Sequence, residues 1–176
     1  MNYQNYIRDV PDFPQKGVVF RDISPLLESA HAWQHAVTDL TQKAILFQPD
    51  MLAGIDARGF LVAAPVAAQL GVGFSMVRKK GKLPWQTLDH TYALEYGNDQ
   101  IELHADAFNK GAKVLICDDL LATGGTAAAA KKLIEKCGAQ PVGLLCLIEL
   151  QGLGGKEKLN NLPVQSLVTY GAALSE

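Results

Sequence analysis

The residues with the clearest chemical purpose run from Val114 to Thr126, VLICDDLLATGGT: an apolar run, two adjacent acids, two leucines and a turn of small residues. Glycines let a backbone turn tightly and bring N–H groups against an anion, a following helix adds its positive end, and threonine hydroxyls add donors. Ala122, Thr123, Gly124, Gly125 and Thr126 therefore read as a phosphate cradle. Asp118 and Asp119 stand at the end of the apolar run, on the other side of that cradle, where carboxylates accept hydrogen bonds from a diol. Phosphate donors beside diol acceptors describe a ribose 5-phosphate. Rival phosphate loops are absent, since the chain has no G-x-x-x-x-G-K-[ST] run and no G-x-G-x-x-G after any strand. A pair of acids capping an apolar strand is also unfavourable for a mere turn.

The elements that must hold these residues follow from periodicity. The stretch up to Pro25 reads as irregular. After Ser29, a good N-cap, Ala30, Trp33, Val37, Leu40, Ala44 and Phe47 recur at steps of three and four, which predicts a helix with that stripe in the core. Pro49-Asp50 ends it; MLAGID reads as a short buried strand, and a small-residue helix is expected from about Phe60 to Leu70, stopped by Gly71. VGFSMVRK is a second strand, followed by a basic loop punctuated by Gly81 and Pro84. Thr87–Tyr96 and Ile101–His104 predict a β-hairpin with Asn98-Asp99 as its turn. Lys113–Cys117 is a strand, Ala127–Lys136 a helix closed by Gly138, Val142–Glu149 another strand, residues 154–159 a short helix and Val164–Val168 a last strand. Strands alternating with helices imply an α/β fold with a mainly parallel, twisted sheet, flanked by helices, that binds ligands at the strands' carboxyl ends.

Bulk properties narrow the classes. At 176 residues and 48% apolar content the chain suits a single domain, residues 1–176, rich in buried parallel strands. A net charge of −2 supplies no excess positive field for a nucleic-acid backbone, so no nucleic-acid partner is expected. The start of the chain lacks a basic segment leading into an apolar one, and no apolar run reaches the roughly 18 residues of a membrane span. A cytoplasmic protein with no membrane partner is expected. Cys117, Cys137 and Cys146 have no C-x-x-C spacing and lie in apolar stretches, as core thiols do. His31, His35, His90 and His104 have no paired metal-ligand spacing.

An apolar strand, two acids, two apolar residues and then ATGGT resembles the signature of the type I phosphoribosyltransferases. The resemblance implies an α/β core with a small N-terminal hood, about residues 1–27, and a flexible β-hairpin lid, about residues 81–104. It also implies transfer of ribose 5-phosphate from phosphoribosyl pyrophosphate to a nitrogen base, with Mg2+ held by pyrophosphate, ribose and water rather than by a direct protein ligand. Residues 18–25 (VVFRDISP), 54–60 (GIDARGF), 78–84 (RKKGKLP) and 94–97 (LEYG) are similar, in order, to segments of the adenine phosphoribosyltransferase family. That resemblance covers nearly the whole chain.

From it, Phe20 is expected to stack on one face of adenine and Leu120 on the other, with backbone groups of Val19 and Arg21 reading the base edge. A carbonyl accepting from a 6-amino group would face another acceptor in hypoxanthine. Arg58, Arg78 and Lys82 are the candidate pyrophosphate set, because a leaving group gaining charge needs cations. Ala57, where relatives often carry serine, is given a backbone role in a loop that is sometimes cis. Lys79 and Lys80 are either solvated or in ligand contact. Glu95 is the main catalytic candidate for the N9 proton or the cationic sugar, with Asp118 as the alternative. The loop and hairpin around Trp85 would exclude water, Tyr92 and Tyr96 serve closure or a subunit contact, and a homodimer is expected with Arg78 near its interface. A purine transferase acting on hypoxanthine or xanthine is the second reading, and a regulator that binds phosphoribosyl pyrophosphate without chemistry the third.

Overall fold

The computed structural model describes residues 1–94 and 97–171. Each predicted strand-helix alternation is present. Strand β3 (Met51–Ile55) leads into α3 (Gly59–Leu70) and β4 (Gly73–Lys79), while β7 (Lys113–Leu121) leads into α4 (Gly125–Lys136) and β8 (Gln140–Leu150). A short α5 (Gly155–Lys158) precedes β9 (Val164–Tyr170). With the hairpin β5 (Thr87–Leu94) and β6 (Gly97–His104), seven strands form one sheet in the order β5-β6-β4-β3-β7-β8-β9. The five strands from β4 to β9 pair in parallel, and the hairpin is antiparallel.

Helices cover both faces, because the central strands are apolar on both sides. One face packs Leu52, Leu115 and Leu145 against Leu40 of α2 (Ala30–Ile45) and Val62 and Val66 of α3. The other packs Ile116 and Leu144 against Leu133 and Ile134 of α4. Cys117 and Cys146 are buried in these layers and Cys137 is half-buried at the edge of one, in keeping with core thiols.

Four local expectations need correction. The stretch before Pro25 is not irregular: β1 (Arg8–Pro11) and β2 (Val19–Asp22) pair as an antiparallel ribbon, followed by α1 (Ser24–Glu28), with Tyr3, Ile7, Ile23 and Leu26 buried against the core. Short polar strands broken by Pro and Gly carry little periodicity, which hid them. In α2 the buried stripe is Ala32, Ala36, Val37, Leu40, Thr41 and Ala44, so Ala30 faces solvent and Trp33 is only half-buried. Strand β7 does not stop at Cys117 but continues through both acids to Leu121, because β8 keeps pairing with it from Asp118↔Cys146 to Leu121↔Glu149. The Asn98-Asp99 pair is not the hairpin turn; Asn98 faces Ala93 and Asp99 faces Tyr92 inside the ladder, which already pairs Leu94 with Gly97.

The predicted cap is present: the Ser29 hydroxyl accepts from the Ala32 N–H at 3.3 Å. Ser29→Ala should lower stability by about 1 kcal/mol. The measurement is the urea midpoint at constant m-value; an unchanged midpoint would mean that packing alone holds the helix start.

Candidate active site

The site begins where β3 leaves the sheet. Its parallel pairing with β7 ends at Gly54↔Cys117, and the chain then turns through Asp56, Ala57 and Arg58 into α3. Asp118 and Asp119 extend past that point, beside this loop at the carboxyl edge of the sheet. The loop is pinned by the Asp56 N–H donating to the Val77 carbonyl at 2.8 Å, and its Asp56-Ala57 peptide is cis. Gly59 closes the joint: a Cβ there would lie 2.6 Å from the Cys117 carbonyl oxygen and 3.2 Å from Asp118 Oδ1. Sequence reasoning quoted Gly59 but gave it no role.

The two acids are electrostatically loaded. Burial, then the neighbouring Asp119 charge, pushes Asp118 well above the usual carboxylate range. Burial also raises Asp119, against the pull of the Arg58 guanidinium, whose Nη2 lies 2.9 Å from Asp119 Oδ2. That approach is a charge contact without hydrogen-bond alignment, so Asp119 Oδ2 is a buried acceptor with no hydrogen bond. Asp118 Oδ1 accepts from the Asp119 N–H at 2.9 Å. An acceptor held dry and unsatisfied, as Asp119 Oδ2 is, suits a ligand that brings a hydroxyl donor.

Next to them the chain forms the cradle. Gly124 takes φ 74°, a left-handed conformation, and no side chain caps the α4 N-terminus, so its first N–H groups face outward. A Cβ at Gly124 would also meet the Gly155 carbonyl oxygen at 2.5 Å, so α5 buttresses the turn from behind. α5 is itself tied by Lys156 to the buried Glu149 at 2.7 Å.

Of the residues expected at pyrophosphate, Ala57 and Arg58 line a cavity of about 210 Å³ together with Asp56, Lys79, Asp118, Asp119 and Thr126. Arg78 and Lys82 do not line it. The Arg78 Nε donates to Asp56 at 3.0 Å and its Nη1 to the Lys82 carbonyl at 3.3 Å, so Arg78 clamps the two loops together. Lys79 pairs with Asp99 and Lys80 with Asp89, which joins the basic loop to the hairpin. The strongest tie was not foreseen: buried Glu102 accepts from the N–H groups of Lys82 and Leu83, both at 2.8 Å. Burial works to raise the Glu102 carboxyl, yet these backbone donors hold it below the usual range. A lone Glu in an alternating strand carries no sequence signal of such a role.

The N-terminal ribbon delivers the aromatic. Arg58 lies 5.0 Å from the Phe20 ring centroid, and Phe13 meets Phe20 edge-on at 5.2 Å. Arg58 thus stands between Phe20 and Asp119. The Arg21 side chain is drawn back to Asp9 and over the Tyr170 ring at 3.9 Å, away from its backbone edge, which β2 shares with Val19. Leu120 is half-buried against the same cluster as the N-terminal Ile23 and Leu26. Glu95 and Tyr96 lie outside the described residues. Size does not select this cavity, since a cleft of about 380 Å³ lies between β5 and α4; its titratable groups do.

An acid pair and an uncapped helix start stand together at the carboxyl edge of the parallel sheet, which is the arrangement a phosphoribosyltransferase needs. The family model for the phosphoribosyl transferase domain matches residues 26–167. Within that class the chain belongs to the adenine phosphoribosyltransferase family. It is 52% identical to the adenine phosphoribosyltransferase of Gluconobacter oxydans over 97% of this chain and 94% of that one. The crystal structure of the enzyme from Thermoanaerobacter pseudethanolicus superposes with a TM-score of 0.92 at 46% identity, covering 95% of this chain and 97% of that one. That from Saccharomyces cerevisiae, complexed with adenine and an imino-altritol bisphosphate, gives 0.87 at 37%, covering 93% and 95%.

The raised carboxyl of half-buried Asp118 makes a stability prediction. A carboxyl whose folded pKa exceeds its unfolded value binds more protons when folded, so stability falls as pH rises through that interval. Asp118→Asn removes the deficit. Its Tm should exceed that of the parent by about 2–4 °C at pH 8 and converge with it near pH 4; a lower Tm at pH 8 would mean that the ionised carboxylate supports the fold.

Proposed function

We propose that the chain transfers the 5-phosphoribosyl group from 5-phospho-α-D-ribose 1-diphosphate to N9 of adenine, releasing pyrophosphate and giving AMP in purine salvage. The observation that carries this is the placement of Arg58 between the Asp119 carboxylate and the Phe20 ring. One cation there faces both the acid pair and the aromatic ring.

In this reading the turn from Ala122 to Thr126 holds the 5-phosphate, and Asp118 and Asp119 accept from the ribose hydroxyls. The backbone at Ala57 and the Arg58 guanidinium receive the charge that grows on pyrophosphate as its bond to the anomeric carbon breaks. Arg78 and Lys82 steady the two loops and add positive charge beside the leaving group. Phe20 and Leu120 sandwich the base, while the backbone of Val19 and Arg21 selects its amino edge. Glu95 accepts the N9 proton or faces the cationic sugar; Asp118, crowded and raised in pKa, is the alternative.

Among the described residues no three His, Cys, Asp or Glu side chains converge on a metal position. Mg2+ is proposed to arrive with pyrophosphate, held by substrate oxygens and water. When bound, it supplies charge neutralisation to the leaving group. A homodimer is also proposed: Leu61 of α3 and Phe74 and Met76 of β4 expose apolar surface on elements adjoining Arg78. No helix among the described residues is long and apolar enough to cross a membrane; a cytoplasmic location is part of the same proposal.

The test mixes pure protein, Mg2+, phosphoribosyl pyrophosphate and each purine base and follows nucleotide formation. Adenine should be converted and hypoxanthine should not; the reverse would sink the base assignment. Glu95→Ala should lower kcat by about 10²–10⁴ with donor KM little changed. Unchanged kcat with a raised donor KM would make Glu95 a binding residue.

A further inference from the structure

One contact crosses from the hairpin to the phosphate cradle. The Tyr92 hydroxyl, on β5, lies 3.1 Å from Asp99 Oδ2 and 3.2 Å from Thr126 Oγ1, on the first turn of α4. Its ring rests beside Gly125, where a Cβ would be 3.7 Å away. Proton counting orders this chain. The Asp99 carboxylate, paired with the Lys79 ammonium, only accepts. Tyr92 therefore gives its single proton to Asp99. With that proton committed, the contact with Thr126 forms only if the threonine donates. The one proton of the Thr126 hydroxyl is thus turned toward the hairpin and away from the cradle.

We propose that Tyr92 is a positioning residue that sets the affinity for the donor's 5-phosphate by competing for the Thr126 hydroxyl proton. The proposal rests on the reading of the Ala122–Thr126 turn as the 5-phosphate site. A phosphate dianion presents only acceptors, so it draws the Thr126 proton to itself. The Tyr92–Thr126 bond then breaks, or inverts with Tyr92 turning its own proton from Asp99 to Thr126. Asp99 tolerates either change, because Lys79 still faces it and its Oδ1 keeps the Gln100 N–H at 2.9 Å. No covalent bond changes; one hydrogen bond is exchanged for another. Through it the hairpin registers whether the cradle is filled.

The sign of the effect separates this role from support of the fold. Tyr92→Phe keeps the ring on Gly125 and removes only the competitor, so the intact protein should bind ribose 5-phosphate about three- to tenfold more tightly by calorimetry, the worth of one ordinary hydrogen bond. Thr126→Val should bind it more weakly, and adding Tyr92→Phe to that variant should give no tightening, because the contested proton is gone. Equal or weaker binding by Tyr92→Phe, or tightening that persists in the double variant, would overturn the proposal. Absence of saturable ribose 5-phosphate binding to the parent protein would instead overturn the cradle reading on which it rests.

Discussion

Helix α3 touches strand β7 at a point where only a hydrogen atom fits. Any side chain at residue 59 would drive a Cβ to 2.6 Å from the Cys117 carbonyl oxygen, and the helix would have to retreat from the strand. Its close approach brings the preceding Arg58 to Asp119, walls Asp118 Oδ1 on one side, and sets the Asp56–Arg58 loop at the rim of the cavity. The same device recurs across the site, where Gly124 rests against the α5 backbone and leaves the start of α4 open toward a ligand. Two absent side chains thus fix the separation between the acid pair and the start of α4, and sequence distance along β7 does the rest.

Such closeness loads the acids. Asp118 and Asp119 are adjacent, desolvated and served by one cation that does not align to hydrogen-bond with Asp119 Oδ2. A fold optimised for stability alone would put apolar residues there, as it does at Leu115 and Ile116 three residues earlier on the strand. The unmet acceptor, Asp119 Oδ2, is instead kept beside the cavity at the carboxyl edge of the sheet. Pre-positioned, poorly solvated groups of this kind reorganise little when the ligand arrives, which is how a rigid site converts stability into binding.

How much of this was legible depended on whether a residue's role is local. The strand-acid-acid-turn-helix order is written in consecutive residues, so Asp118 to Thr126 and the strands and helices around them followed from periodicity and turn chemistry. Ser29 announced its cap for the same reason. The N-terminal ribbon failed that test, since β1 and β2 have four residues each and exist by pairing with one another. Phe20 could be assigned only through resemblance, because nothing near it in sequence tells that Arg58 will lie over its ring. Glu102 was illegible altogether. Its partners are twenty and nineteen residues away and are backbone N–H groups, which have no residue identity to read.

That last interaction explains why a basic loop with three lysines does not simply solvate. Lys80 and Lys79 each meet a hairpin acid, while Glu102 grips the loop's main chain from a buried position on β6. Surface ion pairs such as Lys80–Asp89 are worth little by themselves and weaken with salt. A buried carboxylate satisfied by backbone donors is different, because removing its partners would leave a desolvated charge. Glu102 is therefore the fixed point and the lysine pairs are adjustable. The loop's backbone therefore stays in place whichever way its exposed lysines turn.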